Sequence, residues 1–406
     1  MLHDPARHEP LGGAPWSELQ ARDAIRAIVD DVVAQFDPAT LWPVHPRERE
    51  EGDAPVPQPM LYNGAAGVVW ALQHLKGQGA AAPDFDLPAI AAGLHAHSRH
   101  FIEANASEEP SYFLGHSGVL MLQWKIAPSA ATADALYALV EGNLNNKARE
   151  ALWGSPGTLV AALHLLEATQ EPRWHALFRH GVDLLWQQME PVRHSTQPQR
   201  ELWVWSQDLY GKTIRYLGAG HGFAGNLFPV VRGARWLADS VVAGFEARGF
   251  DVLDVAASRE SGLINWEPVF DRHAAGFPSK PLVQDCHGAP GIICRLAGTR
   301  SAPLQALLRD AGELVWQAGP LTKRPGLCHG TDGNGHAFLK LHATTGDAKW
   351  LARARAFAMH ALAQSDALAA QYGRRVPSLW TGDLGLALYL QACITAEPGL
   401  PTLDVF

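Results

Sequence analysis

Two short runs contain the side chains best suited to chemistry. Cys286-His287-Gly288 and Cys328-His329-Gly330 repeat one triplet and hold two of the four cysteines in the chain. Among the common metals, Zn²⁺ is the one that thiolate sulfur and imidazole nitrogen suit best. Cysteines in this pattern indicate a metal site or a catalytic role rather than a disulfide framework. Cys294 and Cys393 instead lie inside apolar helical runs, which predicts that they are core residues.

The composition limits the classes of partner. Of 406 residues, 47% are hydrophobic and 18% are charged, which is typical of a globular chain with a large core. The net charge is −8 and no basic stripe occurs, so we expect no binding to nucleic acid or to a membrane. No apolar run reaches the ~18 residues of a membrane span. The charges and prolines of residues 1–10 do not fit a secretory signal, so we expect a cytoplasmic protein.

A repeated turn organises the chain. Seven Gly-x-x-Gly motifs each lead directly into an apolar run of helical periodicity, and amphipathic segments such as 87–103, 174–189 and 350–363 lie between them. The first glycine permits a tight turn, and the second removes a side chain where the next helix packs closely. The pattern predicts an all-α fold, a closed toroid of inner helices alternating with outer ones. The motifs begin at Gly64, Gly115, Gly154, Gly222, Gly288, Gly330 and Gly382.

The turns also predict where ligands bind. In a closed ring they would share one end, and the N-terminal N–H groups of the inner helices would make that end electropositive and attractive to anions. Residues 191–215 and 256–283 lack helical periodicity, and we expect them to form long irregular loops around this end. Residues 1–15, rich in proline and glycine, are predicted to be loose, and residues 16–406 to form a single domain.

Three motifs give the chain a resemblance to the lanthionine synthetase C-like (LanC-like) proteins. They are Gly218-Ala219-Gly220-His221-Gly222-Phe223-Ala224-Gly225, Cys286-His287-Gly288-Ala289-Pro290-Gly291 and Gly326-Leu327-Cys328-His329-Gly330. The resemblance extends over nearly the whole chain and implies an (α/α)7 double ring of seven inner and seven outer helices, with the glycine turns at the active-site end. With His287 after the first cysteine, the chain more closely resembles the LanC-like proteins that join glutathione to dehydroamino acids. Dedicated peptide cyclases more often have Tyr at that position.

The resemblance implies a catalytic metal site. One zinc ion per chain would be bound by Cys286, Cys328 and His329, and three protein ligands leave a fourth position open. A substrate thiol bound there would lose its proton. His221 would be the acid that protonates the product, since imidazole suits proton transfer near neutral pH. Glu150, where the cyclases have an acidic residue, would hold His221 in the required tautomer or steer substrate; a helix-surface carboxylate is the equal alternative.

Four further residues are candidates for substrate binding. Lys323 is implied to grip a carboxylate of glutathione, and Arg324 either adds a bidentate contact or is surface charge. His287 either hydrogen-bonds substrate or only orients its loop. Asp285 stands where many LanC-like proteins have Trp, so it either supports a metal ligand from behind or disfavours an acidic substrate. The other departures from the family pattern, either of which could shift the substrate, are Leu282 and Asp332.

The function that these residues predict is zinc-dependent formation of a carbon–sulfur bond. A thiol, glutathione before others, would add to dehydroalanine or dehydrobutyrine in a peptide or protein. A lanthipeptide cyclase would instead use a cysteine of a dehydrated precursor peptide as the thiol, and a non-catalytic scaffold would bind zinc or glutathione and recruit partner proteins. A glycosidase is a weaker alternative, because Asp285, Asp332 and Asp383 lie near the turns but such barrels lack paired zinc cysteines.

Overall fold

The computed structural model describes residues 1–49, 56–105, 110–272 and 280–406. The described residues fall into two compact units. Unit 1 comprises Met1–Glu9, Tyr137–Gly319 and Lys340–Asp347, and unit 2 comprises Pro10–Leu136, Pro320–Leu339 and Ala348–Phe406. Residues 273–279, part of the predicted loop 256–283, lie outside the described residues. No helix within the described ranges is long and apolar enough to cross a membrane.

The described part of the chain is mainly helical, with three two-stranded antiparallel sheets in unit 1. In chain order the helices are α1 (Glu18–Ala34), α2 (Ala65–Gly77), α3 (Leu87–Asn105), α4 (His116–Ile126), α5 (Ala130–Asn143), α6 (Ser155–Thr169), α7 (Pro172–Gln187), α8 (Phe223–Arg232), α9 (Asp239–Ala256), α10 (Ala289–Leu296), α11 (Ala302–Ala318), α12 (Thr331–Thr345), α13 (Ala348–Tyr372) and α14 (Asp383–Thr395). The strands are β1 (Glu190–His194), β2 (Gln197–Val204), β3 (Gln207–Leu209), β4 (Lys212–Ile214), β5 (Ala257–Glu260) and β6 (Leu263–Trp266).

All seven glycine turns lead into helices, as the repeat predicts. The first glycine of each motif directly precedes α2, α4, α6, α8, α10, α12 or α14. Helices that follow successive turns are neighbours within each unit: α14 packs on α2 and α2 on α4 in unit 2, while α6 packs on α8 and α8 on α10 in unit 1. Of these helices, α6 and α14 are apolar around nearly their whole circumference and buried over most of their lengths, as expected of inner helices.

The first N–H groups of these helices are already used by the turns. Phe223 N donates to Tyr216 O at 3.0 Å and Ala224 N donates to Leu217 O at 3.1 Å, so the turn wraps around the start of α8. At such turns the first N–H groups therefore do not donate to a ligand, because backbone carbonyls already accept from them. That the helix dipoles make this end attractive to anions stays a prediction. The same seven-residue spacing joins Ala65 to Gln58, Thr331 to Arg324 and Asp383 to Val376.

Residues 190–214 and 257–266 form β-hairpins rather than the irregular loops predicted from the lack of helical periodicity. The signal is a short alternation of burial along β2: Leu202 and Val204 are buried, while Glu201 before them is exposed and Trp203 between them is only partly buried. The β3–β4 hairpin turns at Tyr210 and Gly211, both with positive φ. The loop prediction is wrong here because a three-residue strand gives almost no periodic pattern to detect.

The segment predicted to be loose, residues 1–15, makes specific contacts. Leu2 is only 6% exposed, and a ring nitrogen of His8 lies 2.9 Å from Gly319 O in unit 1. In unit 2, Gly12 N donates to His360 Nδ1 at 2.9 Å. Leu2, His8 and Gly12 therefore each have a defined place in one of the units.

Candidate active site

The turn that contains Cys286 is held by close backbone contacts in unit 1. Gly220 N donates to Cys286 O at 3.2 Å, which ties this turn to the one before α8. Gly288 has φ +104°, and a Cβ there would lie 1.9 Å from Leu282 O, so only glycine fits. A Cβ on Gly291 would lie 1.7 Å from Asp285 O. Both glycines of this motif are therefore required to hold Cys286 in place.

His221 is paired with Glu150, as the resemblance implied. His221 Nδ1 lies 2.8 Å from Glu150 Oε2, and the Glu150 side chain is fully buried. The carboxyl group also accepts hydrogen bonds from Leu152 N and Trp153 N. Because a carboxylate only accepts, the hydrogen of the neutral imidazole lies on Nδ1 and the Nε2 lone pair is left for proton transfer. The helix-surface alternative for Glu150 is wrong, since this carboxyl group is inside the unit.

His287 belongs to an aromatic group around His221. The ring centroids of His287 and His221 are 5.9 Å apart, and Tyr216 lies 5.6 Å from His287 and 6.0 Å from His221. Tyr210, at the tip of the β3–β4 hairpin, lies 6.1 Å from His221. Burial, and then the neighbouring His221, lowers the pKa of His287 to about 4. His287 is therefore neutral near pH 7 and lies beside the proposed acid.

Asp285 forms a buried ion pair rather than an open substrate contact. Its two carboxylate oxygens accept from Arg295 Nη1 and Nη2 at 3.1 and 2.8 Å, and Asp285 is 2% exposed. Burial raises the pKa of Asp285, and the Arg295 guanidinium acts in the opposite direction. We therefore assign Asp285 to holding the Cys286 turn, because both of its oxygens are engaged inside the unit. Substrate binding by Asp285 is not supported.

The turn that contains Cys328 and His329 lies in unit 2 and is held differently. Cys328 N donates to Trp380 O at 3.0 Å. Asp332 Oδ2 accepts from Gly326 N at 2.7 Å and is fully buried, and this burial raises the Asp332 pKa well above its ordinary value. This departure from the family pattern therefore fastens the turn to the start of α12.

Lys323 and Arg324 differ in burial. Lys323 is exposed, whereas Arg324 is 8% exposed, so the surface-charge alternative for Arg324 is wrong. Arg324 Nη2 lies 3.2 Å from His329 Nε2 and 3.9 Å from Glu48 Oε1. Arg324 Nε and Nη1 are buried without a hydrogen-bond partner among the described residues.

The predicted zinc ligands have suitable donor atoms. Cys286 and Cys328 are partly exposed, whereas Cys294 and Cys393 are buried as predicted, and none of the four forms a disulfide within the described residues. Because a guanidinium can only donate, His329 Nε2 accepts from Arg324 in this contact, and a metal bound at this nitrogen would take the place of the arginine. Taken within each unit, the described residues contain no group of three His, Cys, Asp or Glu side chains arranged to hold a metal. The predicted set takes Cys286 from unit 1 and the other two ligands from unit 2, and it stays a prediction.

Four residues near the candidates were not singled out from the sequence. Arg295 pairs with Asp285, Gln284 donates to Cys286 Sγ, Tyr216 packs beside His221 and His287, and Glu48 accepts from Ser378 and Thr381. Gln284 stands two residues before a predicted ligand, so position alone could have found it. Glu48 is far along the chain from its partners and has no such signal.

Comparison with known proteins relates this chain to two sequences of known name. It is 35% identical over 153 residues to LanC-like protein GCL1 of Arabidopsis thaliana, covering 36% of this chain and 32% of that protein. It is 33% identical over 175 residues to glutathione S-transferase LANCL1 of Danio rerio, covering 41% of this chain and 39% of that protein. The matches thus span well under half the length of these relatives.

The structure and the family model agree on the fold. The chain is similar to the solved structure of nisin cyclase, with a TM-score of 0.60 and 13% identity over 93% of this chain and 94% of the other. This likeness confirms the predicted LanC-like all-α fold. Residues 55–403 match the model of the family described as lanthionine synthetase C-like protein. The chain belongs to the LanC-like family.

Proposed function

We propose that this protein catalyses the addition of a thiol to dehydroalanine or dehydrobutyrine residues of a peptide or protein, with glutathione as the preferred thiol. The observation that carries the proposal is the His221–Glu150 pair, joined through the backbone of its turn to the turn of Cys286. A buried carboxylate behind an imidazole is the arrangement that fixes a general acid–base histidine.

Cys286, Cys328 and His329 would hold one zinc ion. When bound, zinc would supply a Lewis acid that keeps a substrate thiol deprotonated near neutral pH. Gln284 Nε2 donates to Cys286 Sγ at 2.9 Å, which supports a sulfur that accepts rather than donates. The support for this ligand set is the chemistry of its donors and the family to which the chain belongs.

His221 would move the proton. Its Nε2 would take the proton that the thiol loses, while Glu150 stabilises the resulting imidazolium through Nδ1–H. The thiolate then forms the C–S bond at the β-carbon, and the π electrons of the C=C bond move toward the α-carbon. His221 returns the proton to the α-carbon, so the reaction balances as a simple addition with no further reactant.

Two basic residues beside the second triplet would bind the carboxylates of glutathione. Lys323 is exposed and can meet a ligand from solvent. Arg324 has two buried guanidinium nitrogens, Nε and Nη1, without a hydrogen-bond partner among the described residues. An oxygen of a ligand carboxylate could accept a charge-assisted hydrogen bond from either of these two nitrogens. The glutathione S-transferase LANCL1 relative supports the choice of glutathione as the thiol.

The test combines metal analysis with product detection. Purified protein and the Cys328→Ala variant are analysed for zinc, and each is incubated with glutathione and a dehydroalanine peptide, followed by mass spectrometry. We expect about one zinc per chain in the parent, loss of zinc in the variant, and a glutathione adduct above the uncatalysed background only with the parent. His180→Ala, an exposed histidine on α7, is the control.

The other outcomes separate the alternatives. Zinc without a glutathione adduct, together with ring closure in a dehydrated peptide that contains cysteine, would favour a cyclase. Zinc with neither product would favour a non-catalytic scaffold. A parent protein that binds no zinc would refute the metal site and the reaction together.

A further inference from the structure

The first nine residues reach the Cys286 turn through a hydrogen-bonded relay. Arg7 Nη2 donates to Gln284 Oε1 at 3.0 Å, and Gln284 Nε2 donates to Cys286 Sγ at 2.9 Å. Gln284 is 7% exposed, and its backbone N donates to His287 O at 3.1 Å. One side chain therefore connects the N-terminal segment to the sulfur of Cys286.

A second relay joins the same two segments through Asn265 of β6. Asn265 Nδ2 donates to Leu2 O at 2.7 Å and to Leu282 O at 3.1 Å. Asn265 Oδ1 accepts from Ala289 N, at the start of α10, at 2.9 Å. Asn265 is 1% exposed and uses its whole amide to fasten Leu2 to both ends of the turn.

The N-terminal segment is itself fixed in unit 1. Asp4 caps the short 3₁₀ helix Pro5–Arg7 by accepting from Ala6 N at 3.1 Å. A ring nitrogen of His8 lies 2.9 Å from Gly319 O, and Leu2 is buried. Arg7 therefore projects from a short helix that is held on both sides.

We propose that residues 1–9 form a clasp that positions Cys286, with Arg7 and Gln284 as positioning residues. A glutamine amide can present either its oxygen or its nitrogen to a neighbour. Because a guanidinium only donates, Arg7 holds the amide oxygen and turns the N–H toward the Cys286 sulfur. Hydrogen bonds to a ligand atom orient the ligand and tune the metal that it holds. The inference rests on the proposed function insofar as Cys286 is a metal ligand.

Four variants of the full chain test the clasp. Gln284→Leu removes the N–H donor, Arg7→Met removes the group that orients it, and Arg7→Lys restores a donor at the same place. Arg300→Met is the control. Among the described residues, the guanidinium of Arg300 is paired only with the exposed Asp239. The proteins are loaded with Co²⁺, whose thiolate charge-transfer absorption reports the sulfur ligands, and zinc affinity is measured by chelator competition.

We expect Gln284→Leu to weaken zinc binding by about 10–100-fold and to shift the thiolate-to-cobalt band. Arg7→Met should change both in the same direction, Arg7→Lys should recover most of the loss, and Arg300→Met should match the parent. A spectrum and affinity of Arg7→Met equal to those of the parent would overturn the proposal. So would an effect of Arg7→Met that Arg7→Lys does not reduce, because a donor restored to the Gln284 amide oxygen should then have recovered the orientation of the amide.

A second measurement separates this inference from the proposed function. If the parent binds neither metal, the proposed function fails, and the clasp is then decided by amide exchange in the metal-free protein. Faster exchange of the amides of Gln284, Ala289 and Gly220 in Arg7→Met than in Arg300→Met would support the clasp. Equal exchange in the two variants would refute it.

Discussion

The two Cys-His-Gly triplets have the same sequence but different surroundings. The turn of Cys286 in unit 1 is backed by the Asp285–Arg295 ion pair and lies beside His221. The turn of Cys328 in unit 2 is fastened by the Asp332 carboxyl group, and the residue before the cysteine is the buried Leu327. An identical triplet is therefore held by a charge pair in one unit and by a capped turn in the other.

The middle histidine of each triplet has a different neighbour. His287 packs beside His221 and Tyr216, whereas His329 Nε2 lies 3.2 Å from the Arg324 guanidinium. A histidine among aromatic rings suits substrate contact or packing, whereas His329 would bind a metal through Nε2 in place of its contact with Arg324. The comparison teaches that the triplet alone does not assign the role of its histidine.

The most direct test exchanges each middle histidine for alanine. We expect His329→Ala to lose nearly all of the zinc of the parent, because it removes one of three proposed protein ligands. His287→Ala should keep its zinc. Zinc content is measured after dialysis against a chelator. Equal loss in both variants would show that the two histidines are equivalent and would break the comparison.

The proton-transfer side of the comparison is tested at His221. His221→Ala should lower the rate of thiol addition by about 10²–10⁴-fold, because the acid is removed while the zinc ligands remain. Glu150→Gln should lower it less, since the amide can still accept from Nδ1–H but carries no charge. Rates are followed by mass spectrometry beside zinc analysis. The scaffold alternative requires that His221→Ala leave every activity as it was.

The buried arginines of the two turns, Arg295 in unit 1 and Arg324 in unit 2, should differ in how much they stabilise the fold. Arg295→Met leaves the Asp285 carboxylate buried in unit 1 without its cationic partner and should lower the free energy of unfolding by about 3–5 kcal/mol. Arg324→Met should cost less, because Glu48, 3.9 Å away, also accepts from Ser378 and Thr381. Urea unfolding of metal-free protein measures both. Adding Asp285→Asn to Arg295→Met should recover most of the loss; without recovery, charge burial is not the cause.

The turns and the inner helices could be predicted because they depend on local chemistry. Only glycine fits at Gly288 and Gly291, so the motif is visible in the sequence wherever the structure requires it. Buried apolar runs then mark the helices that follow. The same locality explains why the zinc ligands and His221 could be proposed from motifs alone.

The partners of these residues depend on tertiary contacts and could not be predicted. Asp285 and Arg295 are ten positions apart, and their pairing depends on how the turn bends back onto α10. The relay from Arg7 to Gln284 joins residues 277 positions apart. The hairpins were missed because strands of three to eight residues give a weak period-two signal against a helical background.

The smallest expected effect is a loss of stability at acidic pH, and it depends on the protonation of His45. Burial and then the charge of Arg374, with Arg324 and Arg49 also contributing, lowers the pKa of His45 to about 4. In the unfolded chain His45 has its ordinary pKa of about 6.5 and is protonated at a higher pH than in the folded protein. The free energy of unfolding therefore falls as pH falls from 6.5 toward 4 and levels off below.

The variant that tests this effect is His45→Asn. His45 Nδ1 accepts from Arg47 N at the start of the 3₁₀ helix Pro46–Glu48, and asparagine can cap that helix without titrating. His45→Asn should therefore reduce the loss of unfolding free energy between pH 7.5 and pH 5 by about 1–2 kcal/mol, measured by urea unfolding. The exposed His97→Asn is the control, and an equal pH dependence in both variants would remove His45 as the source of acid sensitivity in unit 2.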